Sequence, residues 1–481
     1  MVDAVVVGAG PNGLAAAVTL ARAGLSVEVV ERNDTIGGGA RTAELTLPGF
    51  RHDVCSAVHP MALQSRFFRA FGLEDRIELR LPDVQYGHPL DGGRAGIAHR
   101  DLARTADTLG VDGPAFHQLM APLVRNADQV ADFANDALLH VPRHPVTVAR
   151  FGLRVLEQGT RAWDARFRED VAPAMVSGVA AHSIQHMPSL STAAAALSLG
   201  VYAHARGWPV PVGGSQAIVD ALAGDLVAHG GRIETGREVR SLGDLTPAKA
   251  VLFDTSVPGM LAIAGRQIPT PRRGALRRFR FGNAAAKVDF ALSGPVPWQN
   301  EELRRAGTVH IGGTRAEIAA AEAEVARGRH AERPYVLGSE PTVVDPSRAP
   351  EGKHVFWAYA HVPAGSDVDQ TEAVTRQIER FAPGFRDVVL ESASRTAVDM
   401  QAYNPNYHGG DIAAGAASFW QLVKRPVVSS DPWRMGGGMY LCSEASAPGP
   451  GVHGMAGWHA ARSALRHTFG LPTDVDLAPE D

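Results

Sequence analysis

The sequence predicts an α/β fold in which a parallel-sheet, dinucleotide-binding domain is interrupted by a second, α+β domain. Three observations predict it: a glycine-rich strand, loop and helix at residues 5–24, a glycine turn with a helix and strands at residues 211–256, and a strand, glycine-proline loop and helix at residues 436–470. The length agrees, since 481 residues exceed the roughly 250–300 at which a single core stops growing.

Val5 to Val7 form a short β-branched apolar run, as expected of a strand buried on both faces. Gly8, Gly10 and Gly13 follow as G-x-G-x-x-G, with Pro11 and Asn12 between the last two. In this pattern the first glycine permits a tight turn, the second lets backbone approach a pyrophosphate, and the third lets the next helix pack on the strand. Leu14, Ala17, Val18 and Ala21 recur at helical spacing until Gly24, a C-terminal cap. The helix N-terminus therefore points at an anion site.

The run "SVEVVER" predicts a second strand that ends at Glu31, near the spacing at which an acid accepts hydrogen bonds from a ribose. Such an acid disfavours a 2′-phosphate, so NADP is the poorer candidate. Arg32 follows Glu31, and "TIGGGART" then places Gly37, Gly38 and Gly39 just before Arg41 and Thr42. A second glycine turn and a cation can thus meet the same pyrophosphate. This combination resembles the FAD-binding signature of the flavin amine oxidase and phytoene desaturase superfamily, with its GG-x-x-x-T-like element after the acid. The resemblance implies a Rossmann-like FAD-binding domain of the glutathione reductase-like type, with FAD as cofactor.

In the middle segment, Ser215 is a candidate N-cap for a helix whose stripe is Ile218, Val219, Leu222, Leu226 and Val227, ended by Gly230 and Gly231. "RIETGREVRSL" and "AKAVLFDTS" read as strands. The same resemblance implies that Val239, on the first of them, meets the FAD adenine through its backbone. Near the C-terminus, Trp458, Ala461, Leu465 and Phe469 mark a helix stripe. Free N–H groups at that helix's start, around Gly454 and Met455, are suited to stabilise negative charge. Gly449, Gly451, Val452 and Gly454 resemble the G-x-G-V-x-G flavin loop of phytoene desaturases. Two departures stand out: Glu444 matches instead an acid of flavin amine oxidases, implied to bind the ribityl or phosphate region, and His453 stands where proline is common.

The expected FAD-binding domain therefore comprises residues 1–70, 206–264 and 401–481, and the substrate domain residues 71–205 and 265–400. The first intervening stretch has a mostly helical pattern. The second mixes the strand-like "AAAKVDFAL" and "HVFWAYAHV" with "RAEIAAAEAEVARGRHAE", read as a solvated helix. "YVLGSEPTVVDPSRAPEGKHVFWAYAHVP" and "NPNYHGGDIAAGAASFWQLVKRP" resemble the phytoene desaturase-related group that includes the pyridine nucleotide-disulfide oxidoreductase domain-containing protein 2 proteins. Members of that group act on different substrates.

No second dinucleotide fingerprint follows, so electrons are expected to enter and leave at one flavin face, through substrate and an acceptor such as oxygen or a quinone. The chemistry expected is dehydrogenation of an apolar, isoprenoid-like or lipidic molecule, with the protein supplying orientation and electrostatics. "FRHDVCSAVHPMAL" matches a family segment under the flavin, which brings His59 forward as a proton acceptor. A flavin amine oxidase and a non-catalytic binding protein on the same fold are the alternatives. His408 and Asp411 read as a turn.

Hydrophobic residues at 45%, charged residues at 20% and a net charge of −4 describe a folded enzyme with no whole-molecule attraction to nucleic acid. Cys55 and Cys442 alone support neither a disulfide framework nor a zinc site, so no metal is expected and the compartment is read as reducing and cytoplasmic. No apolar stretch reaches the roughly 18 residues of a membrane span. "PRRGALRRFRF" (271–281), read as an exposed strand, suggests peripheral membrane contact. Homo-oligomerisation is left open.

Overall fold

The computed structural model describes residues 1–480. Val2–Val7 is buried along most of its length and lies inside a six-stranded sheet. The sheet runs in the order Arg434–Gly436, Met439–Leu441, Ala248–Phe253, Val2–Val7, Val27–Val30, Arg232–Glu234. Every neighbouring pair is parallel except the first. Parallel pairing demands crossovers, and helices supply them: Pro11–Arg22 links the first two strands and packs against Gln216–Ala228 and Met455–Ala464.

Local chemistry explains the first of these helices. Gly10 occupies the N-cap and Pro11 the first turn, where a missing N–H costs nothing. Gly24, at φ +82°, follows the last turn as the sequence suggests. The C-terminal helix crosses it in backbone contact: a Cβ on Gly457 would lie 1.8 Å from the carbonyl oxygen of Asn12. That close approach sets residues 443–454 beside the glycine loop.

A seven-stranded sheet forms the second layer, in the order Val389–Arg395, Ala284–Leu292, His354–Val362, Val336–Ser339, Thr308–Ile311, Val84–Pro89, Ala95–His99. It is antiparallel except where Thr308–Ile311 meets Val84–Pro89. Helices Gly113–Val124, Pro145–Gln158, Val171–Ala180 and Leu190–Ala205 share one apolar core with part of this sheet.

Several expectations are corrected here. The stretch read as mostly helical also contributes the hairpin Val84–His99, whose strands are buried by the sheet rather than marked by alternation. "RIETGREVRSL" is a strand only at Arg232–Glu234, because Gly236 at φ +69° turns the chain, so Val239 lies on an irregular segment. Val227 faces solvent, and the buried face instead includes Asp225, held by Arg22 and Arg76. Trp458 and Phe469 are only half-buried, and the last turn, Leu465–Phe469, is π-helical. The helix Arg315–Ala326 is not simply solvated, since Ile318, Val325 and Glu322 are buried and Glu322 meets His361 Nδ1 at 2.5 Å. Part of the basic 271–281 stretch is a helix, Thr270–Leu276, which buries Leu276. Asp411 holds a turn by accepting from the N–H groups of Gly282, Ala413 and Gly415.

Candidate functional site

The glycine loop turns at the C-terminal ends of the parallel strands, where open α/β sheets bind ligands. A Cβ on Gly13 would lie 2.2 Å from the carbonyl oxygen of Gly8, so only glycine allows this helix to start so close to the strand. Glu31 is buried; Oε2 accepts from the Ala9 N–H at 2.9 Å and Oε1 from the Asn33 N–H at 2.9 Å. Arg41 stands 3.8 Å from Glu31 and lies over the Tyr403 ring. Tyr403 in turn donates to the Gly38 carbonyl at 2.6 Å. Asn12 Oδ1 and Arg41 Nε are buried without a protein partner. Buried polar atoms are normally paired, so this cradle of backbone, cation and unpaired polar atoms fits the phosphates and ribose of a dinucleotide. Arg32 is exposed and makes no ion pair among the described residues.

Thr42 serves the loops rather than standing free for a ligand. Its hydroxyl donates to Asp53 Oδ1 at 2.8 Å and accepts from the Gln216 N–H at 3.2 Å. Asp53 Oδ1 also accepts from the Ser215 N–H, and Asp53 Oδ2 from Arg348 at 2.6 Å. Ser215 sits at the N-cap position but does not cap; its hydroxyl donates to the Ser56 carbonyl and pairs with His59. This buried knot binds the first motif to the middle segment. Val239 is half-buried near the sheet edge, two residues beyond Arg237, whose N–H donates to the Glu31 carbonyl.

The expected free N–H at Met455 is corrected. It donates to His453 Nδ1 at 3.0 Å, so the histidine standing in a proline position caps this helix itself. Met455 Sδ accepts from the Phe67 N–H, and Gly454 takes φ +65° at the turn. Glu444 is half-buried in the cavity wall, and its loss of hydration there raises its carboxyl pKa to about 8, helped by the nearby Asp254.

Asp254 escaped the sequence reading. It ends the strand Ala248–Phe253, and Oδ2 accepts from the Gly13 N–H at 3.0 Å. Burial raises its pKa to about 7. The signal that locates it is positional: an acid in "LFDTS" directly after a parallel strand, at the carboxyl edge where ligands bind. Lys287 and Asp289, a buried pair, were also missed; burial lowers the first pKa and raises the second.

A cavity of about 680 Å³ opens from this region. Pro11, Gly39, Glu444, Gly451 and Val452 line one end, and Leu139, Phe151, Phe419 and Leu422 the other. His59 lies in its wall, with Nε2 2.8 Å from Ser215 Oγ and Nδ1 unpartnered; burial lowers its pKa to about 4. His182 also lines the cavity, and its Nε2 is 2.9 Å from His310 Nε2. Cys55, buried in the same wall, has its thiol pKa raised by burial to about 11. Cys442 is buried in the six-stranded sheet, and both cysteines are free.

Together, the fold and the site define an oxidoreductase of Rossmann type that uses a flavin or another nucleotide. Residues 6–71 match the NAD(P)-binding Rossmann-like domain. Beyond that domain, the chain is similar over most of its length to known oxidoreductase-type proteins. It is 27% identical to the pyridine nucleotide-disulfide oxidoreductase domain-containing protein 2 of Rattus norvegicus, covering 96% of this chain and 93% of that protein. It is 27% identical to the phytoene dehydrogenase of Streptomyces griseus, covering 81% and 78%. Among solved structures, an oxidoreductase from Methanosarcina mazei is similar with a TM-score of 0.60 at 17% identity, covering 96% of this chain and all of that one (100%). A redesigned putrescine oxidase is similar with a TM-score of 0.62 at 16% identity, covering 97% and 98%. These structural likenesses bear on the fold alone. Among the described residues, no group of side chains is suited to hold a metal, and no helix is long and apolar enough to cross a membrane.

Proposed function

We propose that the protein is an FAD-dependent dehydrogenase that desaturates an apolar, isoprenoid-like or lipidic substrate. One observation carries the reading: a mostly aliphatic and aromatic cavity runs from the glycine loop and the C-terminal loop to the far rim at Leu139 and Phe419. Such a cavity orients an elongated apolar molecule by burial and excludes water from it. When bound, FAD would supply the hydride acceptor. The residues that would hold it are Gly8, Gly10, Pro11, Asn12, Gly13, Glu31, Gly38, Gly39 and Arg41 at the nucleotide, and Glu444, Val452 and Gly454 at the C-terminal loop. Thr42 would act indirectly, by tying the first motif to the middle segment.

The proton that leaves the substrate needs an acceptor. His59 is held neutral by burial, and its Nδ1 has no protein partner. Oxygen or a quinone would reoxidise the cofactor.

A specific observation favours a second reading, a flavin amine oxidase: Trp357, Tyr359 and Tyr407 line the cavity, and aromatic faces attract cations. Anaerobic titration of the purified holoprotein separates the two. Bleaching of the flavin band by a solubilised acyclic polyene is expected, with none by primary amines. Bleaching by amines alone establishes the second reading, and a protein that retains no FAD overturns both.

Loss of the ribose acid should be measurable too. Glu31→Ala is expected to weaken FAD binding by roughly 1–3 kcal/mol, as charge-assisted hydrogen bonds are lost. Equilibrium dialysis reads the change, and unaltered affinity would remove Glu31 from the site.

A further inference from the structure

The apolar cavity carries a polar row in its wall, on the seven-stranded sheet. Thr308 pairs with Ser339 and Ser339 with Trp357, so the three lie side by side on neighbouring strands, about 4.8 Å from strand to strand. All three line the cavity, and His310 lies two residues along from Thr308 on the same face. His182, in the short turn Ala181–Ser183, lines the cavity as well and reaches His310 through Nε2. Thr308 and Trp357 are only 3% and 5% exposed, yet Thr308 Oγ1 and Trp357 Nε1 have no protein partner. Ser339 Oγ donates to the Gly307 carbonyl at 2.8 Å, which leaves its lone pairs open. Buried polar atoms are normally paired, so two orphans in one cavity wall point to a ligand.

The two imidazoles decide what kind of ligand. Burial holds both neutral, so one of the facing Nε2 atoms donates and the other accepts. His310 Nδ1 is buried without a partner. Were His182 the donor, His310 would carry its proton on Nδ1 and strand a buried N–H, which folded proteins tolerate less than an empty lone pair. His310 therefore donates, and His182 carries its own proton on Nδ1, which makes no bond to the described residues. The wall thus offers N–H donors from His182 and Trp357, a Thr308 hydroxyl that can give or accept, and lone pairs on Ser339. Among the described residues no lysine, arginine or aspartate lines the cavity, and its one glutamate, Glu444, belongs to the glycine-loop end. An anion would enter without a counter-charge, and an ammonium would meet N–H donors; an uncharged oxygen suffers neither cost.

We infer that this row is the subsite for an uncharged oxygen, the hydroxyl or carbonyl group of an otherwise apolar substrate, with Thr308, Trp357 and His182 as its hydrogen-bond partners. The inference deepens the apolar-substrate reading above and rests on it. A pure hydrocarbon would leave all three groups unpaired, so the row sets specificity and fixes which way round an elongated molecule lies.

The test is equilibrium dialysis of the full-length holoprotein against radiolabelled farnesol and against farnesene, its hydrocarbon counterpart. Farnesol is expected to bind at least about tenfold more tightly. Thr308→Val keeps the outline of the side chain and is expected to weaken farnesol binding by about threefold to tenfold with farnesene unchanged, whereas Thr308→Ser keeps the parent's preference. Trp357→Phe, which removes the N–H, acts in the same direction as Thr308→Val. Farnesylamine and farnesoic acid are expected to bind no more tightly than farnesene. Equal affinity for farnesol and farnesene overturns the inference and leaves the apolar-substrate reading standing, while binding of neither sinks both. Unchanged farnesol affinity in both Thr308→Val and Trp357→Phe removes the row from the site. Tighter binding of the amine or the acid overturns the uncharged class, and loss of FAD from Thr308→Val, read by absorbance, assigns the row to the cofactor instead.

Discussion

Asp53→Ala is expected to destabilise the protein by about 3–5 kcal/mol, the range for breaking a buried ion pair by removing one partner. The Asp53 and Arg348 side chains are both fully buried, and the guanidinium has no other carboxylate within ion-pair distance among the described residues. Without Asp53 the cation stays desolvated and unpaired, and the Thr42 hydroxyl and Ser215 N–H lose their common acceptor. Differential scanning calorimetry of variant and parent reads the loss. Asp53→Asn keeps an acceptor for those two donors but not the charge, so it should fall between them. A melting temperature within a degree or so of the parent would show that this knot does not hold the loops together.

Stability without bound cofactor is expected to fall as pH rises from about 6.5 to about 8.5, the reverse of the usual effect of paired carboxylates. The sign follows from Asp254 and Glu444, whose pKa values are raised by burial to about 7 and about 8. In the unfolded chain both ionise near pH 4. Below about pH 6.5 the buried histidines, His59 and His182 among them, act in the opposite direction because burial lowers their pKa values; above it they are neutral in both states, the native state still binds more protons at the two carboxyls, and that advantage drains away as pH rises, levelling off above about 8. At roughly 1.4 kcal/mol per pKa unit the effect amounts to a few kcal/mol. Ionised Asp254 would also repel a phosphate at the glycine loop, so dinucleotide affinity should weaken over the same window. Asp254→Asn keeps an acceptor for the Gly13 N–H and is expected to flatten both profiles. Urea denaturation at about pH 6.5 and about pH 8.5 checks the first, and dialysis at the same values the second. A parent profile that rises with pH would refute the assignment.

The nucleotide half of the site was legible because each of its parts is local. Gly8, Gly10, Gly13, Glu31 and Arg41 are separated by few residues, and backbone geometry brings them together once the strand, loop and helix form. His453 shows how a local reading can misjudge an end. The general rule that a helix start leaves its N–H groups unpaired put a free donor at Met455, whereas an imidazole two residues upstream accepts from it. The strand expected through Val239 stops short for a related reason: the run reads as extended, but Gly236 turns the chain at the sheet edge.

By itself the sequence determined the class of fold, the dinucleotide loop with its acid, and the placement of the flavin-like segments at the beginning, middle and end of the chain, because periodicity, glycine spacing and turn chemistry act over ten or twenty residues. Only the tertiary structure decided which distant groups meet. Asp254 lies under the glycine loop, Asp53 meets Arg348 across 295 residues, and Leu139 and Phe419 line the same cavity. Pairing of that kind is set by how two sheets and their helices pack, and burial, which shifts the carboxyl pKa values and leaves the rim apolar, is a property of that packing alone.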